Sequence, residues 1–165
     1  MSTPPLDETS FPQAARAIFA TASEEATSRG ASAIEAEHLL LALTADPHSA
    51  ASAALAPVGL DHDRIEAALA EERTRSLAFA GVGPIDPERL VATPRPKARP
   101  NVGASLRDAM GTMHRITPRG RQTRRGIEVN LLIALLTADL GTVPRALAMA
   151  GIDRPALLAQ LKPQL

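Results

Sequence analysis

EAEHLLLALTAD occupies residues 35–46, and EVNLLIALLTAD returns at residues 128–139. Leu and Ala, strong helix formers, fill both stretches. Apolar side chains cover almost the whole circumference of each helix. Such a helix has to be enclosed by other elements. The register of the two copies continues beyond them. Leu39 and Leu131, Leu55 and Leu147, Gly59 and Gly151, and Asp61 and Asp153 each stand 92 residues apart, and only the turn after the apolar helix slips by one. Four points at one offset signal an internal duplication.

Working outward from the first copy, SFPQAARAIFATASEEATSRG predicts a helix capped by Ser10, with Pro12 in its first turn, where the missing N–H costs nothing. Phe11, Ala15, Ile18 and Ala22 share one face, and Gly30 supplies a C-terminal cap. After the apolar helix, HSAASAALAPVG reads as a third helix stopped near Gly59. Asp61 then caps a fourth, HDRIEAALAEERTRSLAF, with Ile65 and Leu69 inward. Residues 81–103 carry five Pro and three Gly and read as a linker, with one short turn at PERLV. The pattern then restarts with an amphipathic ASLRDAMGTMHRI, a basic loop TPRGRQTRRG, the apolar helix IEVNLLIALLTAD, TVPRALAMAG and IDRPALLAQL. The expectation is an all-α single domain of about eight helices in two four-helix repeats related by a pseudo-twofold axis. Its parts are a tail over residues 1–10, a repeat over 11–80, the linker over 81–103 and a second repeat over 104–165.

Composition narrows the function. Apolar residues make up 45% of the chain and aromatics 2%, with no Trp or Tyr, so the core must be built from Leu, Ala, Ile and Val. A formal net charge of zero argues against a globally basic nucleic-acid binder. The absence of Cys excludes disulfides and thiolate metal sites. His38, His48, His62 and His114 show no ligand spacing of the H-x-x-x-H kind, so no metal or other cofactor is expected. No apolar run approaches the 18 residues of a membrane span, and the first residues lack the pattern of a secretory signal. The expected setting is cytoplasmic. Ser23, Ser49, Ser52 and Ser105 have no nucleophile-elbow context, so no enzyme activity is expected.

EHLLLAL, preceded one helix earlier by ASEEA and followed by VGLDHDRI, resembles the repeat of the amino-terminal domain of Clp-type AAA+ unfoldases. ATPRPKA before the second copy is similar to the Thr-Pro-Arg opening of that family's second repeat, and SLRDAM resembles the helix after it. The resemblance covers residues 11–162 and implies a pseudo-symmetric eight-helix bundle that docks substrates and adaptor proteins. It also implies partners: proteins or peptides, phospho-arginine-tagged clients, a Clp unfoldase or protease component, or a cyclic peptide that targets such domains. No phosphate loop of the form G-x-x-x-x-G-K-[ST] occurs in these residues, so the expectation is a freestanding docking domain without a motor, acting as adaptor, competitor or scavenger.

Glu37 and His38 match the Glu-His pair with which the family begins its apolar helices, where the glutamates help hold phospho-arginine. Ala36 stands where a Thr is usual. The second copy departs from the pattern with Val129 and Asn130, and Glu128 falls one residue early, turned by about 100° on the helix. Phe11 stands where the family has a Phe near its peptide-binding surface. Glu37, His38, Phe11 and Glu128 are therefore the candidate ligand-binding residues. The alternative site is the basic loop over residues 115–125, where Arg119, Arg121, Arg124 and Arg125 would grip a phosphate, a nucleic acid or another polyanion, since Arg suits bidentate contacts. Phe11, Phe19 and Phe79 are expected in the core or at its edge.

Overall fold

The computed structural model describes residues 10–83, 100–117 and 123–161, and of residues 10–12 the backbone alone. Among the described residues the chain forms eight α-helices: α1 (Ser10–Ser28), α2 (Ala36–Thr44), α3 (Ala50–Leu55), α4 (His62–Phe79), α5 (Ala104–Ile116), α6 (Arg124–Thr137), α7 (Thr142–Met149) and α8 (Arg154–Leu161). A 3-10 turn, Ala56–Val58, extends α3. The protein is all-α.

The two apolar helices form the centre. Leu39, Leu40, Leu43, Leu131, Leu132 and Leu135 are all buried, none more than 2% exposed. Full burial of each such side chain stabilises the fold by about 1.5–3 kcal/mol before conformational entropy is counted. Enclosure is reciprocal. Helix α2 is covered by α1, α3 and α4 of its own copy and by α5 and α7 of the other. Helix α6 is covered by α5, α7 and α8 of its own copy and by α1 and α3 of the other. The two central helices also touch each other. This exchange of covering helices is the pseudo-twofold arrangement that the 92-residue offset predicts.

The punctuation between helices repeats as well. Gly59 and Gly151 adopt left-handed φ values of 69° and 73°. The following residue then donates back to the helix, Leu60 N to Leu55 O at 3.3 Å and Ile152 N to Leu147 O at 3.0 Å, which satisfies a terminal carbonyl. Asp61 caps α4 by accepting from Arg64 N at 2.8 Å, and Asp153 does the same for Ala156 N at 3.0 Å.

Four features depart from expectation. Two-residue strands, β1 (Ala33–Ile34) and β2 (Asn101–Val102), pair in parallel and tie the two copies together. Beside them the Glu35 carboxylate accepts from Ser105 N at 3.0 Å and Ser105 Oγ at 2.5 Å, while Ala36 N donates to Ser105 Oγ at 2.8 Å. A Cβ at position 103 would lie 2.1 Å from that carboxylate, so the close approach requires Gly103. Second, α6 begins at Arg124 and not at Ile127, because Thr123 caps it by accepting from Gly126 N at 3.1 Å. Arg124 and Arg125 therefore lie on a helix and not in a loop. Third, Phe79 is 97% exposed. It is the last residue of α4, beyond the stretch that other helices cover, whereas Phe19 is half-buried against the core as expected. Ser10 is the first residue of α1 and not a residue preceding it. The expected turn at PERLV and the tail over residues 1–9 lie outside the described residues. No single helix is long and apolar enough to cross a membrane.

Candidate functional site

The start of α2 faces a cleft of about 530 Å³ between α2, α4 and α7. Glu37 and His38 lie in the first turn of α2, where the helix macrodipole favours a carboxylate. Glu37 is half-buried, and His38 is buried at 4% exposure. His38 Nδ1 accepts the Glu35 N–H at 3.0 Å, which assigns the proton of the neutral ring to Nε2. Burial pushes the His38 pKa below its ordinary value. The Glu37 carboxylate pulls the other way, and the Arg29 cation adds to the depression.

The remaining walls carry charge that is mostly paired. Arg29, just beyond the end of α1, bridges Glu25 at 3.1 Å and Glu66 of α4 at 2.8 Å. That hydrogen bond and charge hold the Glu66 carboxyl below its usual range. Glu72, buried at 3% exposure, accepts from Ser76 Oγ at 2.6 Å and from Arg145 Nε of α7 at 2.6 Å. Taking a carboxylate out of water is costly unless it is paired and hydrogen-bonded, and here it is both. Glu37 and Arg73 also line the cleft. Among the described residues neither makes an ion pair.

Among the described residues the second copy does not repeat these charges. At the 92-residue offset Val129 replaces Glu37, Asn130 replaces His38, Leu158 replaces Glu66, and Arg145 corresponds to Ala53. Asn130 is buried and donates to Thr117 Oγ1 at 3.3 Å, with its Oδ1 unpartnered. Helix α4 runs 18 residues and packs along α7, whereas α8, described over eight residues, makes no comparable contact with α3.

The structure separates the other candidates from Glu37 and His38. Glu128 is buried at 4% exposure and lies at the other flank, where it accepts from Ala50 N at 2.7 Å and from Arg124 Nε at 2.9 Å. Its place in the second copy is that of Ala36, not Glu37. Arg124 is thereby committed to an intramolecular partner, and Arg125 is exposed. Arg119, Arg121 and the Phe11 side chain lie outside the described residues. Among the described residues no group of His, Asp and Glu is arranged to hold a metal ion.

Sequence reasoning missed Arg29, Glu66, Glu72, Arg73 and Arg145. One signal was present. The inward stripe of α4, Ile65, Ala68 and Leu69, continues at helical spacing onto Glu72, so a carboxylate occupies a core position. Its partner, 73 residues away, has no local signature.

Residues 10–85 match the family model described as the Clp repeat (R) N-terminal domain. No curated protein matches the chain. That match covers α1 to α4, and the reciprocal packing sets a second four-helix unit against them. Residues 10–85 carry the Clp repeat N-terminal domain, and that domain points to a docking module of the Clp type.

Proposed function

We propose that this protein is a non-enzymatic docking module that receives an arginine-bearing, phosphorylated side chain of a protein or peptide in the Glu37 cleft. The observation that carries this reading is the charge inventory of the walls. The charge of Arg29 is paired with Glu25 and Glu66, although its buried Nε has no hydrogen-bond partner, and that of Arg145 is paired with Glu72. A carboxylate, Glu37, and a guanidinium, Arg73, are left over among the described residues. The complement is a ligand that carries both a cation and an anion. Phospho-arginine has that form: its guanidinium would donate charge-assisted bonds to Glu37, and its phosphate would accept them from Arg73. His38, neutral with Nε2–H, offers a further donor. Such a module serves Clp-dependent proteolysis as an adaptor or competitor, or scavenges compounds directed at the related domain of an unfoldase.

Calorimetric titration of the whole chain with free phospho-arginine tests the reading. One site per chain is expected, weakened at least tenfold by Glu37→Ala and by Arg73→Ala. Two equal sites, or unchanged affinity in both variants, would overturn it. A parallel titration with arginine and with inorganic phosphate is expected to give much weaker binding, since each fills half the site.

A further inference from the structure

The Glu37 cleft has a neighbour. Glu72, Ser76 and Arg145 line it, and the same three residues line a second hollow of about 520 Å³, completed by Arg75, Phe79 and Met149. The Glu72–Arg145 pair is thus a boundary with a hollow on each side. That boundary is firm. Glu72 Oε1 accepts from Arg145 Nε and from Ser76 Oγ, each at 2.6 Å, which pins α4 to α7 where the hollows meet.

Both hollows rest on a part of α4 that has no counterpart among the described residues of the second copy. Leu161, the last described residue of α8, corresponds to Leu69 at the 92-residue offset. Residues 70–79 carry α4 onward by about three turns, and Glu72, Arg73, Ser76 and Phe79 all stand on that extension. At its end lies an apolar face that the fold leaves uncovered. Phe79 is 97% exposed, the most exposed large apolar side chain among the described residues. Half-buried Met149, the last residue of α7, faces the same hollow. A ring left in water stabilises nothing until something covers it.

The first hollow indicates what covers the second. A phospho-arginine held by Glu37 and Arg73 arrives on a polypeptide, and the residues beside it have to leave the cleft over its rim. Across the Glu72–Arg145 boundary they meet Phe79. Arg73 and Phe79 are six residues apart on α4, about 9 Å along the helix axis. An extended chain covers that distance in about three residues.

We infer that the hollow at Phe79 and Met149 is a second subsite of the Glu37 cleft, which receives an apolar side chain about three residues from the phospho-arginine in one extended segment of a partner protein. The inference rests on the reading of the Glu37 cleft given above and adds sequence context to it. The modified arginine is taken in preference where an apolar residue stands at the right distance, because the two contacts are made by one chain and only the first needs charge.

The probes are nine-residue peptides of glycine and serine with phospho-arginine at the centre, titrated calorimetrically into the full chain beside free phospho-arginine. A single leucine is placed at the second, third or fourth position on either side. Leucine at one of these positions is expected to tighten binding at least fivefold over the peptide without leucine. That gain is expected to vanish in Phe79→Ser, a change that removes an exposed ring and no packing. If free phospho-arginine binds but no leucine peptide gains, or if the gain persists in Phe79→Ser, the second subsite is overturned and the Glu37 reading stands. If free phospho-arginine does not bind, the Glu37 reading is overturned and the subsite with it.

Discussion

Helices α2 and α6 are alike at their C-terminal halves and unlike at their starts. Leu39, Leu40, Leu41 and Leu43, and likewise Leu131, Leu132, Ile133 and Leu135, are all buried and enclosed by corresponding helices. The first turns hold Ala36, Glu37 and His38 in one copy, and Glu128, Val129 and Asn130 in the other. The buried halves have to satisfy the same packing, so they keep the same chemistry. The starts lie at the rim, where a change of charge is tolerated if its partners change too. The difference teaches that the copies share a scaffold and divide the polar work. The first opens a charged cleft, the second puts Leu158 where the first has Glu66, and its Glu128 reaches across to the start of α3 in the first copy.

That comparison can be broken first in the core. Leu39→Ala and Leu131→Ala are expected to cost about 2–5 kcal/mol each, and to agree within about 1 kcal/mol, if the central helices are equivalent. Chemical denaturation measures both, and a large disparity would mean that one helix carries the core alone. At the cleft the copies are expected to diverge. Arg145→Ala leaves Glu72 buried without its cation and is expected to cost roughly 1–3 kcal/mol, discounted because Arg145 is itself half exposed. Introducing Arg at Ala53, its counterpart, is expected to change stability by less than about 0.5 kcal/mol, since that position is exposed.

The smallest effect sharpens the comparison between His38 and Asn130. A histidine whose folded pKa lies below its unfolded value of about 6.5 takes up a proton more readily when unfolded. Its contribution is therefore intact above that pH and is lost as the pH falls from about 6.5 toward the folded-state value. Protonation would also turn Nδ1 into a donor opposite the Glu35 N–H. His38→Asn, which copies the second repeat, is expected to remove this acid-side decline in melting temperature between pH 7.5 and 5. An unchanged slope would assign the decline to other groups.

The fold was legible because its signals are local or periodic. Apolar runs, glycine stops at Gly59 and Gly151, and aspartate caps at Asp61 and Asp153 all speak through a few neighbouring residues. The early start of α6 turns on one hydroxyl, Thr123, standing before a basic segment that reads as loop. The strand pair is two residues long, too short for any alternation to register. The site was half legible. Glu37 and His38 stand out beside a familiar motif, but their surroundings are assembled from α1, α4 and α7, and the depth of Glu72 exists only once Arg145 has folded against it. Phe79 reads as core from its type alone, and its exposure follows from the length of α4 relative to what covers it.

The exchange of covering helices has a consequence for what this molecule is free to become. Two separate copies of one repeat meeting about a true twofold would form an isologous contact, in which every surface must complement itself and every substitution appears twice. A glutamate that reached into its neighbour would then be mirrored. Joining the copies in one polypeptide lifts that constraint. Glu128 can reach the start of α3 while its counterpart, Ala36, carries no charge, and a buried carboxylate can be set against an arginine of the other half with no second pair to accommodate. The covalent link thus turns a self-complementary interface into two independently adjustable ones, at no cost to the leucine layer that both halves share.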